Sequence, residues 1–214
     1  MNKLRLSLAC AALAIAAIGH ADPLVYAQNP DFNGSLASQN DTAGFGNFAT
    51  VYDNFTLGVN TDLTGAEWIG SYFNPNQAGN ITAFTLQIWS DNNGPSASLY
   101  STSVGGNGSE TFLQIDNAGD PTYLYGSGIS FTATAGTMYW LSIVPDLAFP
   151  PQWGWETGVN GDGLSYQDFF GSRTQLGADM SFALFGHDAV PEPAPFAVMG
   201  LGLGAMILRR RKKA

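Results

Sequence analysis

The 214-residue chain is 45% hydrophobic and only 12% charged, with a formal net charge of −9, a composition that fits one globular domain with short appended segments. Seven of its eight basic residues lie near the ends, so Asp22 to Ala189 holds sixteen Asp and Glu against Arg173 alone, a formal charge of −15. Such a body repels nucleic-acid phosphates and anionic membranes and attracts cations, which argues against nucleic-acid binding; the single cysteine, Cys10, lies in an apolar run near the start and leaves the body without disulfides, zinc–thiolate sites or a cysteine nucleophile.

In chain order, residues 1–21 come first and have the three parts of a secretory signal peptide: basic Lys3 and Arg5, apolar Leu6 to Ile18, and small Gly19 and Ala21 on either side of His20. Signal peptidase is expected to cut after Ala21, with a weaker alternative after Ala27. The apolar stretch falls short of the roughly 20 residues of a permanent membrane span. Cys10 does not end the apolar run, so it is not read as a lipidation site. Asp22 to Ala43 is polar and loop-like, an expected edge strand or loose arm.

The body, residues 22–189, reads as all-β. Gly, Asn, Asp and Pro interrupt it at short intervals and leave little room for a long helix. The clearest strand is Ile81 to Ser90, where Phe84, Leu86 and Ile88 alternate with Thr85, Gln87 and Trp89 before a turn cluster at Asp91-Asn92-Asn93-Gly94-Pro95. Thr137 to Val144 is apolar on both faces and should be a central strand. Thr50–Leu57, Ala66–Phe73, Ala97–Val104, Glu110–Ile115, Thr122–Tyr125, Ile129–Thr134, Gly163–Phe169 and Met180–Phe185 complete about ten strands, the pattern of an antiparallel β-sandwich or jelly roll.

The end of the chain, residues 190–214, has three parts: Pro191-Glu192-Pro193, an uncharged run from Phe196 to Leu208, and Arg209-Arg210-Arg211-Lys212-Lys213. The prolines hold an extended strip that a protease can grip. The apolar run is an expected short transmembrane helix, and the basic cluster fixes its orientation with the positive end cytoplasmic. This arrangement resembles the PEP-CTERM sorting signal. The resemblance implies recognition by a membrane exosortase in a Gram-negative cell that makes exopolysaccharide, transient anchoring in the inner membrane, and removal of the tail near Pro191 to Pro193. An uncut C-terminal anchor is the competing reading. Within the body, Tyr52–Leu57, Trp68–Phe73, Phe84–Tyr100, Ala135–Ile143 and Trp153-Gly154-Trp155 occur in an order similar to a β-rich ectodomain often paired with such tails, and no activity comes with that likeness.

The body offers little for catalysis. Its only histidine, His187, lies three residues before the sorting strip, in an expected flexible linker where it could not be held as a base. Carboxylates such as Glu67, Glu110 and Glu156 leave glycoside hydrolysis open, although carboxylates are equally common as turn caps. Calcium is the candidate ion, because it takes hard oxygen donors; the oxygen-rich loops are Asp91–Asn93, Asp116–Asp120 and Asn160–Asp162, with Asp91 and Asn93 the first choice. Trp153 and Trp155 are candidate carbohydrate contacts if exposed, and ordinary core residues if not.

These features describe an exported, exosortase-processed, non-catalytic protein of the cell surface or extracellular matrix, associated with exopolysaccharide in a biofilm and needing no cofactor. The alternatives are a carbohydrate- or calcium-binding module with a defined ligand and, third, a polysaccharide-cleaving enzyme.

Overall fold

The computed structural model describes residues 22–189. The expected signal peptide and sorting tail, and with them Ala21, Pro191, Glu192, Pro193, Arg209, Arg210 and Arg211, lie outside the described residues. Fourteen strands run through the described chain: β1 (Leu24–Ala37), β2 (Gln39–Asp41), β3 (Gly46–Thr56), β4 (Thr61–Phe73), β5 (Ala83–Asp91), β6 (Pro95–Gly105), β7 (Thr111–Ile115), β8 (Pro121–Ala133), β9 (Met138–Leu147), β10 (Gln152–Val159), β11 (Ser165–Phe169), β12 (Ser172–Leu176), β13 (Asp179–Met180) and β14 (Phe182–Asp188). They form two seven-stranded sheets, ordered β13-β10-β1-β14-β4-β8-β7 and β12-β11-β3-β2-β9-β5-β6. All pairings are antiparallel except the short contact of β2 with β9.

The inner faces of the two sheets share one core, so the fold is a β-sandwich. Phe55 of β3, Phe84 and Leu86 of β5, and Leu141 and Ile143 of β9 face Trp68 of β4, Tyr125 of β8, Trp155 of β10 and Phe182 of β14. Alternation on β5 is as the sequence predicts: Phe84, Leu86 and Ile88 are buried and Thr85 and Gln87 only half-buried. β9 lies between β2 and β5 with nearly every residue buried, the central strand expected for a run that is apolar on both faces.

Three expectations are corrected. Asp22 to Ala43 is not a loose arm: β1 is an inner strand between β10 and β14. Its polar residues are accommodated by partners and by a bulge between Pro30 and Ser35, where Phe32 and Gly34 take φ of 54° and 138°. His187 is not in a linker but on β14, opposite Asp62, and it is exposed. The two short strands read at Thr122–Tyr125 and Ile129–Thr134 are parts of one strand, β8.

Strand directions give the sandwich two poles. Both ends of the described chain meet at one of them: Gly186 N donates to Pro23 O (3.0 Å), and Ala189 N to Asn60 O (2.8 Å). β4 starts there at Thr61, opposite Asp188, and runs 13 residues to Phe73, about 40 Å at the usual rise of a strand. Loops carrying Phe45, Asn74, Phe149 and Phe170 gather at that far pole.

Candidate functional site

The far pole carries a cradle of phenylalanines. Phe45, Phe48, Phe149, Phe169 and Phe170, with Asn74 and Gln152, line an open groove of about 290 Å³, the lower end of the range for ligand pockets. Phe48 is the buried floor, while Phe45, Phe169 and Phe170 are 63%, 42% and 60% exposed. The rings support one another edge-on: Phe45 with Phe170 at 6.1 Å and 88°, Phe45 with Phe149 at 6.2 Å and 68°, and Phe169 with Phe170 at 5.0 Å and 88°. Such pairs are the preferred aromatic geometry.

One buried carboxylate sets the cradle's shape. Asp41, at the end of β2, accepts Phe149 N and Ala43 N on Oδ1 and Phe45 N on Oδ2, each at 2.8 Å, so it ties the β2–β3 loop to the β9–β10 loop. Burial alone would push this carboxyl up, but the N–H groups of Phe149, Phe45, Ala43 and Gly44 outweigh that and hold it below the usual carboxylate range. Gln39 fixes the same loop from β2, giving Nε2 to Leu147 O (3.0 Å) and taking Trp153 N on Oε1 (2.8 Å). The third wall is the two-residue hairpin between β11 and β12, where Phe169 pairs with Ser172.

That hairpin places Phe170 and Gly171 at φ of 47° and 81°, the geometry of a type I′ turn, which favours Asn or Gly at its first position. A large aromatic at positive φ is held there against its own backbone preference. Phe170 N nevertheless donates to Phe48 O (2.7 Å), which locks the ring over the groove. The turn thus holds an exposed ring in a backbone conformation that costs energy.

Residues singled out in the sequence lie elsewhere. Trp153 and Trp155 do share a face of β10, but it is the inner one; both are 0% exposed and cannot offer a face to a sugar. Trp153 Nε1 donates to Tyr125 OH (3.2 Å) and Trp155 Nε1 to Ser181 O (2.8 Å). Long-range pairing of β10 with both β1 and β4 buries them. At the β5–β6 turn, Asp91 Oδ1 accepts Gly94 N (3.0 Å) and Trp140 Nε1 (2.9 Å), and Asn93 has a φ of 57°. Turn geometry and a tryptophan anchor thus account for both residues. Asp162 accepts Asn54 Nδ2 (3.1 Å to Oδ2) and Leu164 N (3.0 Å) and so holds a loop onto β3. Of the glutamates, Glu67 and Glu156 are fully buried, and Glu110 Oε2 accepts the hydroxyls of Tyr72 (2.6 Å) and Tyr125 (2.9 Å).

The cradle itself escaped the sequence reading. Its signals were Phe45 between two glycines in a turn and the Phe169-Phe170-Gly171 triplet at a strand end, both large rings where turn chemistry calls for small residues. No family model matches the chain, and no curated protein matches it with significance.

Proposed function

We propose that the chain is an exported, exosortase-processed, non-catalytic surface or matrix protein that engages polysaccharide through the phenylalanine cradle. The observation that carries this reading is the set of exposed rings held open at the pole opposite the chain ends. Flat apolar rings, with Asn74 and Gln152 among the lining residues, suit the C–H faces and hydroxyls of pyranose units. A body with a formal charge of −15 disfavours polyanions, so the matching glycan is neutral or cationic. Sorting rests on the resemblance of residues 190–214 to the PEP-CTERM signal; an anchor following Ala189 would present the cradle away from the membrane.

The processing half is tested by mass spectrometry of the protein recovered from a producing culture. The mature chain is expected to begin at Asp22 and end near Pro191 to Pro193; recovery of a form that retains Ala214 as the main product would refute it.

For the cradle the informative variant is Phe170→Asn. Asparagine suits the turn position, so the variant should melt at the same temperature as the parent or slightly above it, by up to about 1 kcal/mol of stability. Loss of the ring should weaken retention on a neutral-glycan array or in affinity electrophoresis about tenfold. Binding by the variant equal to the parent's, or no binding of any neutral or cationic glycan by the parent, would rule out the cradle as the glycan site.

A further inference from the structure

On the outer side of β10, away from the cradle, three chain segments converge on a pair of buried carboxylates. Glu156 of β10 is 0% exposed and Asp116, in the β7–β8 turn, 6%. Each commits one oxygen to a backbone amide: Glu156 Oε1 accepts Gly34 N (3.2 Å), and Asp116 Oδ1 accepts Asp120 N (2.8 Å). Glu156 Oε2 and Asp116 Oδ2 are buried and have no hydrogen-bond partner in the protein. Leaving one such oxygen unsatisfied is costly, and leaving two that repel each other is more so.

The surroundings are built from oxygen. The β1 bulge, Asp31 to Gly34, docks on the turn: Asn117 N donates to Phe32 O (2.8 Å) and Asn117 Nδ2 to Asn33 Oδ1 (2.9 Å). Asp31 receives Thr157 Oγ1 at 2.6 Å. Burial, with the charges of Asp116, Asp31 and Asp120 adding to it and the Gly34 amide opposing it, pushes the Glu156 carboxyl up to about 8. No basic side chain of the body serves as counter-ion: its one Arg, Arg173, is bound to Asp168 (2.7 Å) at the edge of the other sheet.

We propose that Glu156 and Asp116 are the charged ligands of a divalent-cation site, with calcium as the ion, at the junction of the β1 bulge, the β7–β8 turn and β10. Among the described residues no three His, Cys, Asp or Glu side chains are grouped to hold a metal by themselves. The remaining ligands are therefore backbone carbonyls, asparagine oxygens and water, a mixture ordinary for calcium, which takes six to eight oxygens in a flexible shell. An exported protein meets calcium at concentrations that suit the weak affinities of extracellular sites, about 10⁻⁴ to 10⁻³ M. The site is independent of the cradle and does not require it to bind glycan.

The test uses the full chain stripped with chelator and titrated with calcium chloride, with magnesium chloride as control. Calcium at 10 mM should raise the melting temperature by a few degrees, more at pH 8 than at pH 5, because protons compete for Glu156. Terbium should give luminescence sensitised by the tryptophans and displaced by calcium. Glu156→Gln and, separately, Asp116→Asn should each abolish both responses, while Asp91→Asn should retain them. A melting temperature unmoved by calcium at pH 8 would overturn the proposal, as would a response that survives in either Glu156→Gln or Asp116→Asn.

Discussion

Trp153→Ala should lower the melting temperature by roughly 6–20 °C. The indole is fully buried, packs edge-on against Phe84 (5.6 Å, 72°) and Tyr125 (5.9 Å, 72°), and gives its N–H to the Tyr125 hydroxyl. Removing a buried tryptophan costs about 3–5 kcal/mol, and in a chain of this size each kcal/mol moves the midpoint by about 2–4 °C. The loss also loosens Tyr125, whose hydroxyl shares Glu110 Oε2 with Tyr72. The slot for the indole is cut by Gly70 on β4: a Cβ there would stand 2.1 Å from Trp153 Cζ2 and 2.8 Å from Gly154 O. Gly70→Ala should therefore be comparably damaging in the parent. Combined with Trp153→Ala it should cost less than the two losses added, since the side chain it strikes is gone. Calorimetry of the four proteins checks this; strict additivity would mean that the indole does not depend on the Gly70 slot.

The second large effect is on pH. Burial pushes the Asp53 carboxyl up to about 8, against the backbone N–H groups of Met180 and Asn54 that stabilise its charge, and Glu156 stands at about the same value. Both are acids with folded-state values above their unfolded ones. Their contribution to stability is fully present below about pH 4 and is lost as pH rises towards 8. The opposite sign applies to Asp168, lowered chiefly by Arg173, and to Asp41; their contribution is present above the unfolded value and lost as pH falls through the folded one. In chelator, the urea midpoint should accordingly peak at about pH 4 and fall by pH 8.5, with a loss on the order of a few kcal/mol. A profile flat from pH 5 to 8.5 would contradict the burial argument. Glu156→Gln should recover part of the alkaline loss, because it removes one of the two charges.

Much of the sandwich was legible because its strands obey simple periodicity. β5 shows period-two alternation, and β9 shows the unbroken apolar run of a doubly covered strand. β1 was not legible, since its membership of the first sheet comes from backbone pairing with β10 and β14, strands more than 110 residues away, rather than from its side chains. Trp153 and Trp155 were noticed for their chemistry, but whether a Trp-Gly-Trp stretch faces a core or water is decided by which strands flank it, and the flanking strands are again distant in sequence. Gly154 is the local clue: a Cβ there would meet Ser35 Oγ at 2.6 Å and Leu36 O at 2.9 Å, so the stretch is wedged between neighbours. The cradle was hidden for the converse reason. Phe45, Phe149 and Phe170 are more than 100 residues apart at the extremes, and their rings are brought together by the carboxylate of Asp41, the side chain of Gln39 and the turn at Phe170-Gly171.

The shared pole of the chain ends also has a mechanical consequence. β1 and β14 are hydrogen-bonded neighbours running in opposite directions, with Leu24 beside Phe185, so pulling the two ends apart peels this pair open one bond at a time. A load applied at the cradle and resisted at Ala189 instead runs parallel to the strands. It shears the ladders of β14 with β1 and β4 along their length, so that many bonds must fail together. A protein held by its C-terminal end and gripped at its far tip would thus resist stretching along the direction in which flowing water or a drifting polymer pulls.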